Sequence, residues 1–195
     1  MASKSNPGGE HDYHAIDLHL RNFWPDRPFE EFSWNLGPIR DVLPNFRVRR
    51  ISPIAVNQPW IYVSVGAFEV DSFQRVEFVL EAPAKSPIHV ESLAMIAHYH
   101  AVGDHPFHLG RTVNLGRPWI DGATATGFML NLPYPFGPDL EWMELPNGEP
   151  VQFLWLVPIT RREAIYAMGN GTAALEDLFE EKQVDVLDPF RKSVI

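Results

Sequence analysis

The segment HYHAVGDHPFH places His98, His100, Asp104, His105 and His108, all of them metal-ligating residue types, within eleven residues. Imidazoles with a carboxylate suit zinc or ferrous iron, so a metal-dependent enzyme built on His98–His108 is one functional reading. Its spacing argues against it. His98 and His100 stand at i, i+2, which on a helix points the two rings about 200° apart. They converge only if the helix has ended before them; otherwise they are ordinary polar rings around a helix end and the loop that follows.

A second lure is GNGTAA, Gly169 to Ala174, which matches a G-x-G-x-x-A dinucleotide fingerprint. That motif holds a pyrophosphate when a strand leads into its glycines. Here the preceding pattern is helical, so the segment reads as a break between two helices. Among the carboxylates, Glu77 and Glu81 share one side of a predicted strand. They are four residues apart, about 13 Å at strand rise, which is too far for the usual pair of glycosidase acids. A solvated sheet face is the expectation for them. The sequence contains no nucleophile elbow, no P-loop and no H-E-x-x-H, and it has no cysteine, so thiolate nucleophiles, thiolate metal sites and disulfides are excluded together.

The elements that would position these residues follow from periodicity. Residues 1–12 are polar and read as a flexible tail, with Pro7-Gly8-Gly9 as its breaker. Ile16, Leu20, Phe23 and Trp24 then mark one face of a helix that Pro25 closes. Asp26 to Asn45 reads as packed irregular structure. Phe46 and Val48 alternate with Arg47 and Arg49, predicting a half-exposed strand. WIYVSVG (60–66), VEFVLEA (76–82) and GFMLNL (127–132) are strands by β-branched and aromatic content. In the second of these, Val79 interrupts the alternation and implies a partly covered second face. Pro87 starts a helix with Val90, Leu93, Ala94 and Ala97 as its stripe.

LEWMEL and VQFLWLV flank Pro146-Asn147-Gly148 as a hairpin, and VQFLWLV is apolar on both faces, which predicts a central strand. Thr160 and Glu163 have capping-box spacing for a helix through Met168. A second helix carries Leu175, Leu178 and Phe179 on one face. Trp34, Trp60, Trp119 and Trp155 read mostly as core, and Trp142 and Tyr134 as the more exposed aromatics. No repeat or composition shift divides the chain, so residues 1–195 read as a single α+β domain.

The bulk numbers narrow the function. A formal charge of −9 argues against a general phosphate-backbone binder and permits a basic partner. No apolar run approaches the ~20 residues that cross a bilayer, and no signal-peptide pattern opens the chain, so a cytoplasmic protein is expected.

Read as strings, the segments resemble the Suppressor of fused family. WIYVSVG with an acidic loop and then VEFVLEA is similar to its paired strands, and HVESLAMIAHYH to its central helix. FHLGRTVNL fits the segment after that helix. FGPDLEWMELPNGEPVQFLWLVPITRREAIYAMGNGTAALEDLF resembles its longest signature, and VDVLDPFRKSV its terminal V-D-x-x-D-x-x-R-x-S. Order and spacing hold from about Ile16 to the end.

The resemblance implies a mixed, largely antiparallel sheet flanked by helices. It also implies a non-catalytic protein-binding module without metal or cofactor. In animals the family's namesake sequesters a Hedgehog-pathway transcription factor with this domain and a second one. This chain ends where the first domain ends, so a two-domain clamp is not expected within it. Short, mostly bacterial relatives are thought to be immunity proteins that neutralise polymorphic toxins. That role is the leading expectation, and a cytoplasmic regulatory binder unrelated to toxins stays open beside it. The family's peptide-contacting tyrosine carries over onto Tyr62, and the acidic residues of the following loop onto Glu69 and Asp71. These three are the expected partner-binding residues, with an exposed strand edge beside Tyr62 accepting the partner by β-addition.

Overall fold

The computed structural model describes residues 9–104 and 106–195. Helix α1 (Glu10–Phe23) opens the described chain, and the Asp12 carboxylate accepts the Gly9 N–H at its start. Residues 10–12 are therefore helical rather than part of a flexible tail; the remainder of that expectation, residues 1–8, lies outside the described residues. Strand β1 (Phe29–Ser33) and the short helix α2 (Pro38–Val42) follow, where the sequence pattern suggested irregular structure. Then come β2 (Arg47–Ile51), β3 (Trp60–Val65), β4 (Arg75–Ala82), α3 (Pro87–Val102), β5 (Thr112–Asn114) and β6 (Ala125–Asn131). A four-residue helix α4 (Pro138–Glu141) leads into β7 (Trp142–Glu144) and β8 (Pro150–Thr160), and α5 (Arg161–Asn170) and α6 (Thr172–Glu181) complete the set.

Among the described residues one eight-stranded sheet joins every strand, in the order β1-β2-β3-β4-β8-β6-β5, with β7 also on β8. Its pairings are antiparallel except β4 with β8. This is the mixed, largely antiparallel α+β architecture that the sequence implies. Strand β8 is the centre. Its first half takes β4 on one side and β7 on the other, and its second half takes β6. Leu154 and Leu156 join the cluster under α3. Val151 and Phe153 pack with α1, and Trp155, Val157 and Ile159 with α5 and α6. Both faces being covered explains why VQFLWLV is apolar without alternation. None of the described helices is long and apolar enough to cross a membrane.

Two sequence motifs meet at the chain's end. The Thr160 hydroxyl accepts the Glu163 N–H while the Glu163 carboxylate accepts the Thr160 N–H, a reciprocal capping box. Glu163, fully buried, also takes two bonds from Arg191 (2.6 and 2.9 Å) and one from the Val194 N–H (3.0 Å). Burial works against its charge, but Arg191, Thr160 and Val194 together hold the carboxyl below the usual carboxylate range.

Strand β2 corrects a further expectation. Arg49, on the polar side of the strand, is buried rather than half-exposed because acids from two other elements cover it, and Arg50, on the opposite face, is buried as well. Arg49 reaches Asp17 of α1 and Glu31 of β1, and Arg50 pairs with Glu30.

Candidate functional site

The loop that leaves β3 is built around Glu77. The β3–β4 ladder runs from Trp60↔Ala82 to Val63↔Val79, and beyond it side chains replace strand partners. The Ser64 hydroxyl accepts the Phe78 N–H (2.7 Å) and donates to Glu77. The other Glu77 oxygen accepts the N–H groups of Gly66 (2.6 Å) and Phe68 (3.3 Å). Gly66 turns the chain at φ +118°, a conformation L side chains rarely adopt, and a Cβ there would press on the Phe46 backbone and the Tyr13 ring. Glu77 is thus fully buried, and burial pushes its carboxyl up to about 7 despite those donors.

Glu81, expected on the same solvated face, is buried too, and burial raises it to about 7 against the pull of Arg27. The expectation failed because α1 covers that face of the sheet, with Ile16, Leu20 and Val79 in one apolar cluster.

From this anchored base the loop rises through a 3₁₀ turn, Ala67–Glu69, to an exposed tip. Tyr13 of α1 packs edge-on against Phe68, with the Arg47 guanidinium 4.9 Å from its ring centre. Burial, followed by the neighbouring Glu69 carboxylate, keeps its phenol protonated well above the ordinary tyrosine range. On the far side Arg75 donates to the Phe68 carbonyl (2.9 Å) and pairs with Glu149 (2.8 Å). Between these clamps Asp71 is exposed and Phe73 is 83% exposed. Glu69 and Asp71 line one groove of about 660 Å³ together with Asp104, and none of its described lining residues is basic. The sequence reading found the first two acids but assigned Asp104 to the histidine segment.

Tyr62 is elsewhere. Strand β3 lies between β2 and β4, so no open edge runs beside it, and the tyrosine is buried on the α3 face. Its hydroxyl accepts the Ser86 N–H (3.1 Å) at the start of α3, and its ring lies 5.1 Å from His89. The expected β-addition edge beside Tyr62 is therefore corrected: among the described residues the strands with a single neighbour are β1, β5 and β7. An alternating motif states that a residue is in a strand, not whether that strand has two neighbours.

The histidines disperse. His98 and His100 both belong to α3, with the divergence that i, i+2 spacing dictates. His100 is buried against Phe107, its Nδ1 accepts the Phe107 N–H (2.8 Å), and burial pushes its ring down to about 4. His108 bonds the Leu109 carbonyl through Nδ1 (2.8 Å), and His105 lies outside the described residues. Among the described residues no group of three His, Asp or Glu side chains is placed to hold a metal ion. Gly171 (φ +88°) separates α5 from α6, so GNGTAA follows a helix and lacks the strand a dinucleotide loop needs.

This fold, with its anchored acidic loop, has known relatives. The profile of the Suppressor of fused protein (SUFU) family matches residues 48–192, well over half of the chain. The chain belongs to the Suppressor of fused family. A Suppressor of fused homologue from Neisseria gonorrhoeae FA 1090 superposes with a TM-score of 0.86 at 37% identity, over 96% of this chain and 98% of that one. Drosophila Suppressor of Fused (TM-score 0.73, 16% identity, 94% of this chain and 51% of that one) shares the fold. So does a chain of the Sufu–Fu complex (TM-score 0.73, 15% identity, 97% and 93%). Immunity protein YqcF of Bacillus subtilis (strain 168) is 38% identical over 63 residues. That match spans 32% of this Suppressor of fused-family chain and 32% of the Bacillus protein.

Proposed function

We propose that this chain is a non-catalytic module that binds a protein partner, and that the partner is a toxin it neutralises in the cytoplasm. The observation that carries the reading is the family match over residues 48–192, with an immunity protein among the chain's relatives. The site adds a physical rationale. A loop clamped by Glu77 and Arg75 presents Asp71 and Phe73 on a rigid base, so little ordering entropy is lost on binding. The acids of the adjoining groove, within a chain of charge −9, would steer a basic partner. Glu69 and Asp71 are the proposed contacts; Tyr62, buried at the start of α3, is not among them, because the groove's α3 residues lie at the other end of that helix. The proposal calls on neither metal nor cofactor.

The test is protection. Cells expressing the product of the neighbouring gene are expected to survive only when this chain is present, and the two proteins to co-purify. Asp71→Lys, an exposed change expected to alter stability by no more than about 0.5 kcal/mol, should weaken the complex at least about tenfold. Recovery of no specific partner, together with no protection, would defeat the reading.

A further inference from the structure

Trp155 stands where β8 leaves β4 and joins β6, facing Val79 on one side and Asn131 on the other. Its side chain is only 7% exposed, and its indole N–H has no acceptor among the described residues. The indole lines a cavity of about 340 Å³ between the sheet and α6, shared with Tyr134, Asn131, Glu176, Asp177 and Glu180. That volume takes one large side chain with part of its backbone.

The lining is unbalanced. Three carboxylates of α6 converge on it, and no lysine or arginine is among the described residues that line it. Two basic side chains that follow α6 are engaged elsewhere: Lys182 donates to the Val194 carbonyl (2.6 Å), and Arg191 is bound to Glu163 and stacked over Phe179. Burial raises the Glu176 carboxyl, against a hydrogen bond from Asn131 and with the charge of Asp177, and burial followed by Glu176 and Glu141 raises the Tyr134 phenol. An aromatic wall, carboxylates with no cation among the described lining residues and a buried donor without an acceptor ask for one kind of ligand. It must be a cation able to lie against a ring, joined to a carbonyl.

We propose that this cavity receives an arginine side chain from a protein partner. The guanidinium lies against Trp155 and Tyr134 and donates to the α6 carboxylates, while a main-chain carbonyl of the partner satisfies the indole N–H. Arginine fits because its planar cation stacks on aromatic faces and offers five donors in a fixed fork.

The proposal rests on the binding-module reading only for the source of the arginine, so its chemistry is testable without a partner. The full chain is titrated with acetyl-Gly-Arg-Gly-amide while the indole ¹⁵N–¹H signal of Trp155 is followed, assigned by its loss in Trp155→Phe. A saturable shift is expected. It should weaken about tenfold when citrulline, which is neutral and of the same shape, replaces arginine. It should weaken similarly for wild-type peptide against Glu176→Gln/Glu180→Gln, whose melting temperature reports its folding. No saturable shift, or equal binding of the citrulline peptide, overturns the proposal and leaves the binding-module reading standing. Failed protection in the toxin assay does the reverse.

Discussion

Glu77 and Glu163 are both fully buried glutamates that tie a turn to the sheet, yet their proton affinities move in opposite directions. Glu163 faces a guanidinium. Glu77 faces dipolar donors, the Ser64 hydroxyl and N–H groups of the loop, and among the described residues no cation bonds to it. Dipoles alone do not offset the loss of water around a carboxylate, whereas a bidentate arginine with two amides does. The first junction is therefore strongest when protonated and the second when ionised.

The largest effect should come from breaking the ionised junction. Arg191→Ala leaves Glu163 buried without its counter-charge and is expected to cost about 3–5 kcal/mol in urea unfolding at pH 7. Next is the pH profile. Glu163, depressed in the folded state, contributes stability above the unfolded carboxylate pKa that is lost as pH falls through its folded value. Glu77 runs the other way. Its folded pKa is raised from 4.5 to about 7, so its contribution is complete below pH 4.5 and is lost as pH climbs to about 7. That is about 3 kcal/mol from this residue. Stability measured from pH 4.5 to 7 should fall less in Glu77→Gln than in wild type, with Glu81 keeping part of the slope.

Gly66→Ala strains the same junction through its positive φ and the Phe46 and Tyr13 contacts. It should cost about 1–3 kcal/mol by thermal melting. Thr160→Ala removes one half of the capping box beside Glu163 and should cost about 1 kcal/mol in the same assay. If Thr160→Ala proves as damaging as Arg191→Ala, the arginine is not what distinguishes the two sites.

Much of the scaffold was readable because its signals are local. The Thr160–Glu163 box, Pro87 at the first turn of α3 and the Asn147-Gly148 hairpin each name their own conformation within a few residues. What escaped depends on which element covers which. Glu77, Glu81 and Arg49 alternate with apolar residues as a solvated face does, and nothing nearby reveals that α1 lies over them. A trace existed for the arginines. The acids of FEEFS stand opposite the basic pair of RVRRI in register, Glu30 to Arg50 and Glu31 to Arg49, which also marks the missed strand β1. Of the site residues, Glu69 and Asp71 emerged together because loop position is a local property. Tyr62 was misplaced because its strand's outer neighbour, β2, leads on to β1 in a stretch read as irregular.

The parallel pairing of β4 with β8 also sets a timetable for the growing chain. The ladder begins at Arg75↔Val151, so the β4 edge waits for residues made 76 positions later. At ribosomal speeds of roughly 5–20 residues per second that interval is about 4–15 s. Throughout it an apolar strand has an unpaired flank, open to any other nascent β-segment. The emergence of residues 75–151 during translation is thus an interval in which this flank is open to mispairing.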